Sequence, residues 1–377
     1  MKILFLSNGY GEDTIASYII KAFPPDLRKK IYAFPLVTEG SIFKEEGIKI
    51  CGPIRVLPSR GISGLLNLKN FIIDIKSGLI QHVIQQVNFI KNLDKDFYFV
   101  AVGDIYPLSI LYLTSRISKA FFVATAKSIK TEIFNFFEIH IMKKVIASFV
   151  RDNSTQEWIQ KKYKLSNVYF FGNPVLDIPL ADSPDILKNI EKSRNIIFLP
   201  GRVNEALKNI NLLLPAMREI VSCGYTFCIV VPDFYPLEEI RSIISSFDQS
   251  IFLVSSRYYR FLLERSFLAW GFAGSANEQA AGFGIPVISL NEKNWYRQRQ
   301  KKLLKDSLIL VENPYDFISK TLELANNPEY YGVLSNAGKI EMGPPGGASL
   351  ISSFIIQFCK NSEKIAFSSK GNNDKIV

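Results

Sequence analysis

The chain has very little imidazole, with two histidines, His82 and His140, in 377 residues. Each lies in an apolar, helix-like run, where a histidine satisfied by its neighbours is the ordinary case. Neither a histidine-centred catalytic triad nor a zinc cluster is expected. The four cysteines, Cys51, Cys223, Cys228 and Cys359, have no paired metal-ligand spacing. Cys223 and Cys228 read as buried small apolar residues, and a reducing cytoplasm is the simplest setting. No run of about eighteen apolar residues occurs: the richest stretch, Phe97 to Ala126, is interrupted by Asp104, Arg116 and Lys119, so no membrane span is expected. The opening Met1–Leu6 is followed at once by Ser7-Asn-Gly-Tyr-Gly-Glu-Asp13, too soon for a secretory signal, and reads as a first buried strand. No Gly-x-x-x-x-Gly-Lys-Ser/Thr loop is present, which counts against an NTPase, and the turn at residues 7–13 lacks the third glycine of a dinucleotide fingerprint. RNA-binding signatures and zinc-finger spacings are also absent, so nucleic acid is not an expected partner.

What is present is a folded, basic chain. Hydrophobic residues make up 47% and charged residues 21%, and the formal net charge is +10. Such a charge favours anionic partners, phosphates or an acidic lipid surface among them. The length suggests about two domains, enough to form a cleft. Ten short β-type runs alternate with helical stretches: Ile3–Leu6, Ile31–Pro35, Tyr98–Val102, Ala120–Ala124, Ala147–Val150, Ile196–Leu199, Thr226–Val231, Ile251–Val254, Phe267–Trp270 and Val287–Leu290. Apolar runs separated by helices argue for an α/β protein with two parallel sheets covered on both faces. Patterning lapses at Phe171–Asp177 and through the polar stretch Ala181–Arg194, where a hinge is expected. The segment after Asn291 reads as a polar loop and then helices through Gln357, and the end of the chain as polar and frayed. Ile62–Leu93 carries Lys69, Lys76 and Lys91 at roughly helical spacing. It is either a surface helix facing the core or an amphipathic helix resting on an anionic bilayer.

Four segments could carry chemistry. In Ala269–Leu290 a buried strand meets Gly274-Ser275, a helix bearing Glu278 in its first turns, and another strand. Amides at such a helix start suit an anion, and Glu278 stands where a carboxylate could accept ribose hydroxyls; an ordinary βαβ unit packed through small residues is the alternative. In the first turn Gly9 and Gly11 allow positive φ, Asp13 reads as a helix cap, and Glu12 is either a general base or a second charge at the helix start. Asp104, in Ala101–Pro107, ends another strand of the same sheet and either abstracts a proton from an acceptor hydroxyl or caps the turn before Pro107. Arg202, after Pro200-Gly201, is placed for bidentate phosphate contact or is a plain surface arginine, and Glu205 could cap the next helix or hold Arg202 by an ion pair.

In their order and separation, Phe171–Asp177, Phe198-Leu-Pro-Gly-Arg202 and Gly274–Ile288 resemble lipid A disaccharide synthase. The opening Ser7–Asp13, with Thr125–Ser128 and Arg151-Asp152, resembles more closely the synthase-related proteins of cyanobacteria and plastids. The resemblance implies a GT-B fold: two Rossmann-like doubly wound domains facing an interdomain cleft. The first is an acceptor-side domain over residues 1–175, with a linker at 176–194. A nucleotide-sugar domain follows at 195–345, a helix returning toward the first domain at 346–360, and a flexible tail at 361–377. It implies a UDP-sugar as donor substrate with no cofactor and no metal, and a lipid-like acceptor. The donor set would be Gly201, Arg202, Gly274, Ser275, Ala276, Glu278, Gln279, Gln298 and Gln300. Within it Gly274 and Ser275 would meet the diphosphate, Glu278 the ribose, and Gln298 or Gln300 the sugar, with Ser256–Tyr259 near uracil. Asp104 resembles the synthase's acidic base, Glu12 shares that candidacy, and Asn8, Gly9, Gly11 and Asp13 form the acceptor-side loop. Two positions depart from the synthase pattern: Arg202 follows Gly201 without an intervening serine, and Asn173 stands where the synthase has histidine. The expected activity is glycosyl transfer in the cytoplasm or at the inner membrane face. The alternatives are a UDP-N-acetylglucosamine 2-epimerase-like enzyme and a non-catalytic peripheral protein that binds UDP or lipid.

Overall fold

The computed structural model of the protein describes residues 2–57, 68–182, 190–245 and 250–371. The chain divides into two compact units, Met1–Asp177 with Pro345–Val377, and Ile178–Pro344. In the first unit seven strands, β1 (Lys2–Ser7), β2 (Ile31–Pro35), β3 (Lys49–Ile50), β4 (Phe97–Gly103), β5 (Ala120–Ala124), β6 (Ala147–Phe149) and β7 (Val168–Tyr169), form one sheet in the order β3-β2-β1-β4-β5-β6-β7. Every pairing is parallel. β1 and β4 are nearly continuous apolar runs because helices cover both faces of the sheet, and the polar residues of β1, Lys2 and Ser7, stand at its ends.

The second unit repeats the plan with six strands, β8 (Asn195–Leu199), β9 (Thr226–Val231), β10 (Ile251–Ser255), β11 (Leu268–Gly271), β12 (Val287–Leu290) and β13 (Leu308–Val311), in the order β10-β9-β8-β11-β12-β13. All of these pairings are parallel as well. Both sheets therefore reverse direction of growth next to their first strand, between β1 and β4 and between β8 and β11. In open α/β sheets ligands bind beyond the carboxyl ends of the strands at such a switch point.

Three strands were not evident in the sequence: β3, β7 and β13, each at the edge of its sheet. β13 lies inside the stretch read as helical through Gln357; only a single 3-10 turn, Lys305–Ser307, parts it from the helix Trp295–Leu304 before it. The helix Gly347–Gly371 continues past Asn361, where fraying was expected, and belongs to the first unit. Phe354 packs edge-on against Phe121 and Phe149, and Phe358 against Phe121 and Tyr98. Its start is tied down by Asp177, which accepts hydrogen bonds from the Gly346 and Ala348 amides.

The amphipathic reading of Ile62–Leu93 is altered in two ways. Its residues 62–67 lie outside the described ones, and the rest forms two helices, Leu68–Lys76 and Leu79–Asn92, parted at Gly78. The second helix buries His82 and Gln86 and leaves Ile80 and Ile84 more than half exposed. Polar groups turn inward there because they meet the Leu36 carbonyl: His82 Nε2 lies 2.8 Å and Gln86 Nε2 2.6 Å from it. Cys228 is buried, but Cys223 is exposed at the end of a helix, contrary to expectation. Among the described residues no helix is long and apolar enough to cross a membrane.

Candidate functional site

At the β1/β4 switch point the first unit gathers carboxyl groups. The helix after β1 starts at Tyr10, so Gly11 lies in its first turn, not in a positive-φ loop, and Gly9 is the cap, with no side-chain capping bond. Asp13 is accordingly not a cap. It sits inside the helix with no exposed surface, accepting hydrogen bonds from the hydroxyls of Ser7 and Thr38. Burial pushes its carboxyl up to about 7; the two hydroxyls oppose the rise, and Glu12 and Glu39 add to it.

Asp104 ends β4 and fulfils its capping reading, accepting from the Tyr106 amide at 2.9 Å at the start of helix Ile105–Leu113. The same Oδ1 accepts from Asn8 Nδ2 at 2.9 Å, so the turns after β1 and β4 are stitched together. Burial pushes Asp104 up to about 7, the Tyr106 amide and Asn8 oppose it, and Glu12 and Glu138 add to it. Glu12 accepts from Thr125 Oγ1 at 3.3 Å, which brings in the end of β5. Arg151, after β6, donates to the Thr125 carbonyl at 3.0 Å. Behind Asp104 a polar chain runs inward: the Tyr106 hydroxyl donates to Gln86 Oε1 at 2.6 Å, and Gln86 lies 2.9 Å from His82 Nε2. Burial lowers the affinity of His82 for a proton, so this histidine is a neutral structural member.

The second unit's switch point is built differently. Gly201, after β8, adopts φ +91°, which directs Arg202 to the exposed start of helix Val203–Ser222. The turn is held by Tyr235, whose hydroxyl donates to the Gly201 carbonyl at 2.6 Å, and by Asn209, which donates to the Pro200 carbonyl at 2.9 Å. Among the described residues Arg202 has no ion-pair partner, so of the two readings of Glu205 the pairing with Arg202 does not form, and Glu205 lies in the first turn of the helix. After β11, Gly274 precedes helix Ser275–Gly282, with Ser275 exposed and Glu278 buried in the first turn. The first amides of a helix lack intrahelical acceptors, so they are available to an anion.

That turn is braced from below by helix Trp295–Leu304. Gln300 donates to the carbonyls of Ala273 and Gly274 at 3.3 and 3.0 Å, and its own oxygen accepts from Asn277 and Arg297. Arg297, 1% exposed, donates to the Phe272 carbonyl at 3.1 Å and pairs with Glu292 at 3.2 Å. Both ends of the Gln300 amide are thus engaged by the protein itself, whereas Gln298 is exposed and donates to Asn291 at 3.2 Å. Asn8, Glu12, Asp13 and Asp104 come together in the first unit, and Gly201, Arg202, Gly274, Ser275, Ala276, Glu278 and Gln279 belong to the β8/β11 region of the second. Sequence reasoning passed over Ser7, Thr38, Tyr106 and Arg297. Ser7 falls within the Ser7–Asp13 motif, which gives no sign of its bond to Asp13; the roles of Thr38, Tyr106 and Arg297 come from contacts across separate turns.

Solved structures share this architecture over nearly the whole chain. S. aureus MnaA, determined with UDP, gives a TM-score of 0.63 at 14% identity, covering 96% of this chain and 97% of that one. The UDP-GlcNAc 2-epimerase of Neisseria meningitidis bound to UDP-GlcNAc gives 0.59 at 14% identity, with 95% and 100% covered. MurG of Acinetobacter baumannii gives 0.54 at 12% identity, with 94% and 99% covered. No protein-family model and no curated protein sequence matches the chain. The fold is therefore of the GT-B type, two Rossmann-like parallel-sheet domains.

Proposed function

We propose that the chain is a glycosyltransferase that moves a sugar from a UDP donor to an acceptor of lipid character, a reaction like that of lipid A disaccharide synthase, with acylated glucosamine as the candidate donor sugar. The observation that carries this reading is the unequal chemistry of the two switch points. The β8/β11 turn offers a guanidinium with no ion-pair partner among the described residues and helix-start amides that lack intrahelical acceptors, which suit a diphosphate. The β1/β4 turn offers carboxyls held near neutrality, which suit proton abstraction from a hydroxyl.

In this reading Arg202 and the amides of Ser275 and Ala276 hold the diphosphate, Glu278 meets the ribose, and Gln279 and Gln298 lie toward the sugar. Residues 256–259 lie toward uracil, while Gln300 keeps the diphosphate turn in place. Asp104 takes the proton of the acceptor hydroxyl, whose oxygen attacks the anomeric carbon. The bond to UDP breaks and UDP leaves with the electron pair, its charge met by donors already in place. Asn8 fixes the Asp104 carboxyl and Glu12 tunes it. The exposed Ile72, Ile73 and Ile75 of helix Leu68–Lys76, and Ile80 and Ile84 of helix Leu79–Asn92, support a lipid-like acceptor, since exposed apolar side chains on amphipathic helices suit a lipid contact.

A second reading, a UDP-N-acetylglucosamine 2-epimerase, is favoured by the structural likeness to the Neisseria meningitidis enzyme. The two are separated by incubating the purified protein with UDP-GlcNAc alone and following the sugar by proton NMR. Epimerisation needs no acceptor, so conversion under these conditions refutes transfer. A transferase leaves the sugar nucleotide intact until a glycolipid extract is added, and then releases UDP in step with a new glycolipid. UDP binding without either reaction marks a non-catalytic protein.

A further inference from the structure

The phenol of Tyr296 is pressed against the turn that opens helix Ser275–Gly282. A Cβ on Gly274 would stand 1.9 Å from Tyr296 Oη and 3.1 Å from Cζ, closer than a side chain can come. The φ of Gly274 is −92°, so a left-handed backbone is not what calls for glycine there. What glycine provides is room for this hydroxyl. Among the described residues no protein group accepts a hydrogen bond from Tyr296. Burial pushes the hydroxyl up to about 12, Glu278 adds to the rise, and Arg299, Arg297 and Arg202 oppose it, so the group is a neutral O–H donor at physiological pH. Tyr296 keeps 38% of its surface exposed, so this donor is open to a ligand, and beside helix-start amides and an arginine with no ion-pair partner among the described residues it suits a multiply charged oxyanion.

Resting on the nucleotide reading above, we propose that Tyr296 is a diphosphate-binding residue: its hydroxyl donates to a phosphate oxygen of the UDP donor, and Gly274 is glycine in order to admit it. Tyr296 thereby sets the preference of the turn for a diphosphate over an uncharged nucleoside.

The test is calorimetric titration of wild type, Y296F, G274A and the double variant with UDP, and with uridine as the ligand that lacks phosphate. A hydrogen bond to a charged group predicts about a tenfold or larger loss of UDP affinity in Y296F, with uridine binding unchanged. G274A displaces the same hydroxyl and weakens UDP binding by at least as much. The double variant is no weaker than G274A alone, because both changes remove one interaction. Y296F binding UDP as tightly as wild type, or more tightly because the phenol is an obstruction, overturns the proposal, and it does so even if G274A fails to fold. Wild-type protein that binds no UDP refutes the nucleotide reading instead. Inorganic pyrophosphate then decides for Tyr296: weaker binding by Y296F supports its role and equal binding overturns it.

Discussion

The two sheets reach their switch points by the same topology, yet the turns there hold opposite chemistry. Beyond β1 and β4, donors and acceptors are matched: Asn8 and the Tyr106 amide serve Asp104, Ser7 and Thr38 serve Asp13, and Thr125 serves Glu12. Beyond β8 and β11 the carbonyl side of the turn is matched by Gln300 and Arg297, while Arg202 and Tyr296 keep donors that, among the described residues, no protein group takes up. A region that satisfies itself stores protons, whereas one that leaves donors over recruits an anion. Topology supplies the location, and the side chains there underlie the division of labour proposed above.

The sharpest way to break this comparison is to exchange the losses. D104N removes a general base without altering its volume and is expected to lower turnover by about 10²–10⁴-fold while leaving UDP affinity as it was. Comparable loss of UDP binding in D104N would show that the two regions do not divide the work. R202A is the converse: about tenfold or more weaker UDP binding by calorimetry, with the pH dependence of whatever turnover remains unchanged. The brace should behave differently from both. Q300A strands the Ala273 carbonyl and an N–H of Arg297, while the Gly274 carbonyl keeps the Glu278 amide, and is expected to cost about 1–3 kcal/mol of stability in denaturant titration, with weaker UDP binding following from a loosened turn. R202A, at an exposed residue, should leave the denaturation midpoint where it was.

Much of this was legible in the chain, and what was not has a physical cause. Central strands such as β1 and β4 are buried on both faces, so their apolar runs announce them. Two of the missed edge strands, β3 and β7, are only two residues long, and β13 is a four-residue run set off from a helical pattern by the short turn Lys305–Ser307 alone. Asp104 and Arg202 could be placed because glycine or proline-glycine next to a strand end marks a sheet's carboxyl edge. Asp13 was misread because an acidic residue soon after glycine looks like a cap, while the helix begins earlier, at Tyr10, and carries Asp13 inward. Gln300 and Tyr296 lie two turns away in sequence from the glycine they contact. No spacing rule connects residue 274 with residues 296 and 300; the connection exists only once β12 and the loop after it have been laid beside β11.

The subtlest effect concerns pH and separates the two candidate bases. A carboxyl held at about 7 is ionised only above that pH, so with Asp104 as base the rate rises through an acid limb near 7. Glu12 raises both Asp104 and Asp13. In E12Q a repelling charge is gone, both carboxyls lose protons more readily, and the acid limb moves to lower pH with turnover at its plateau largely kept. The gain is confined to the acid side, about two- to tenfold at a pH below the wild-type midpoint. If Glu12 is itself the base, E12Q abolishes turnover at every pH. Asp13 gives a companion signal in stability. Its folded value of about 7 exceeds the ordinary 3.8, so the folded state holds the extra proton, and the cost of ionising it grows as pH rises from about 4 to about 7. D13N removes that cost, so its urea midpoint should lose less ground than wild type across this interval. Equal slopes for the two proteins would mean that Asp13 is already ionised throughout, and that the β1/β4 region holds less proton-storing capacity than its geometry implies.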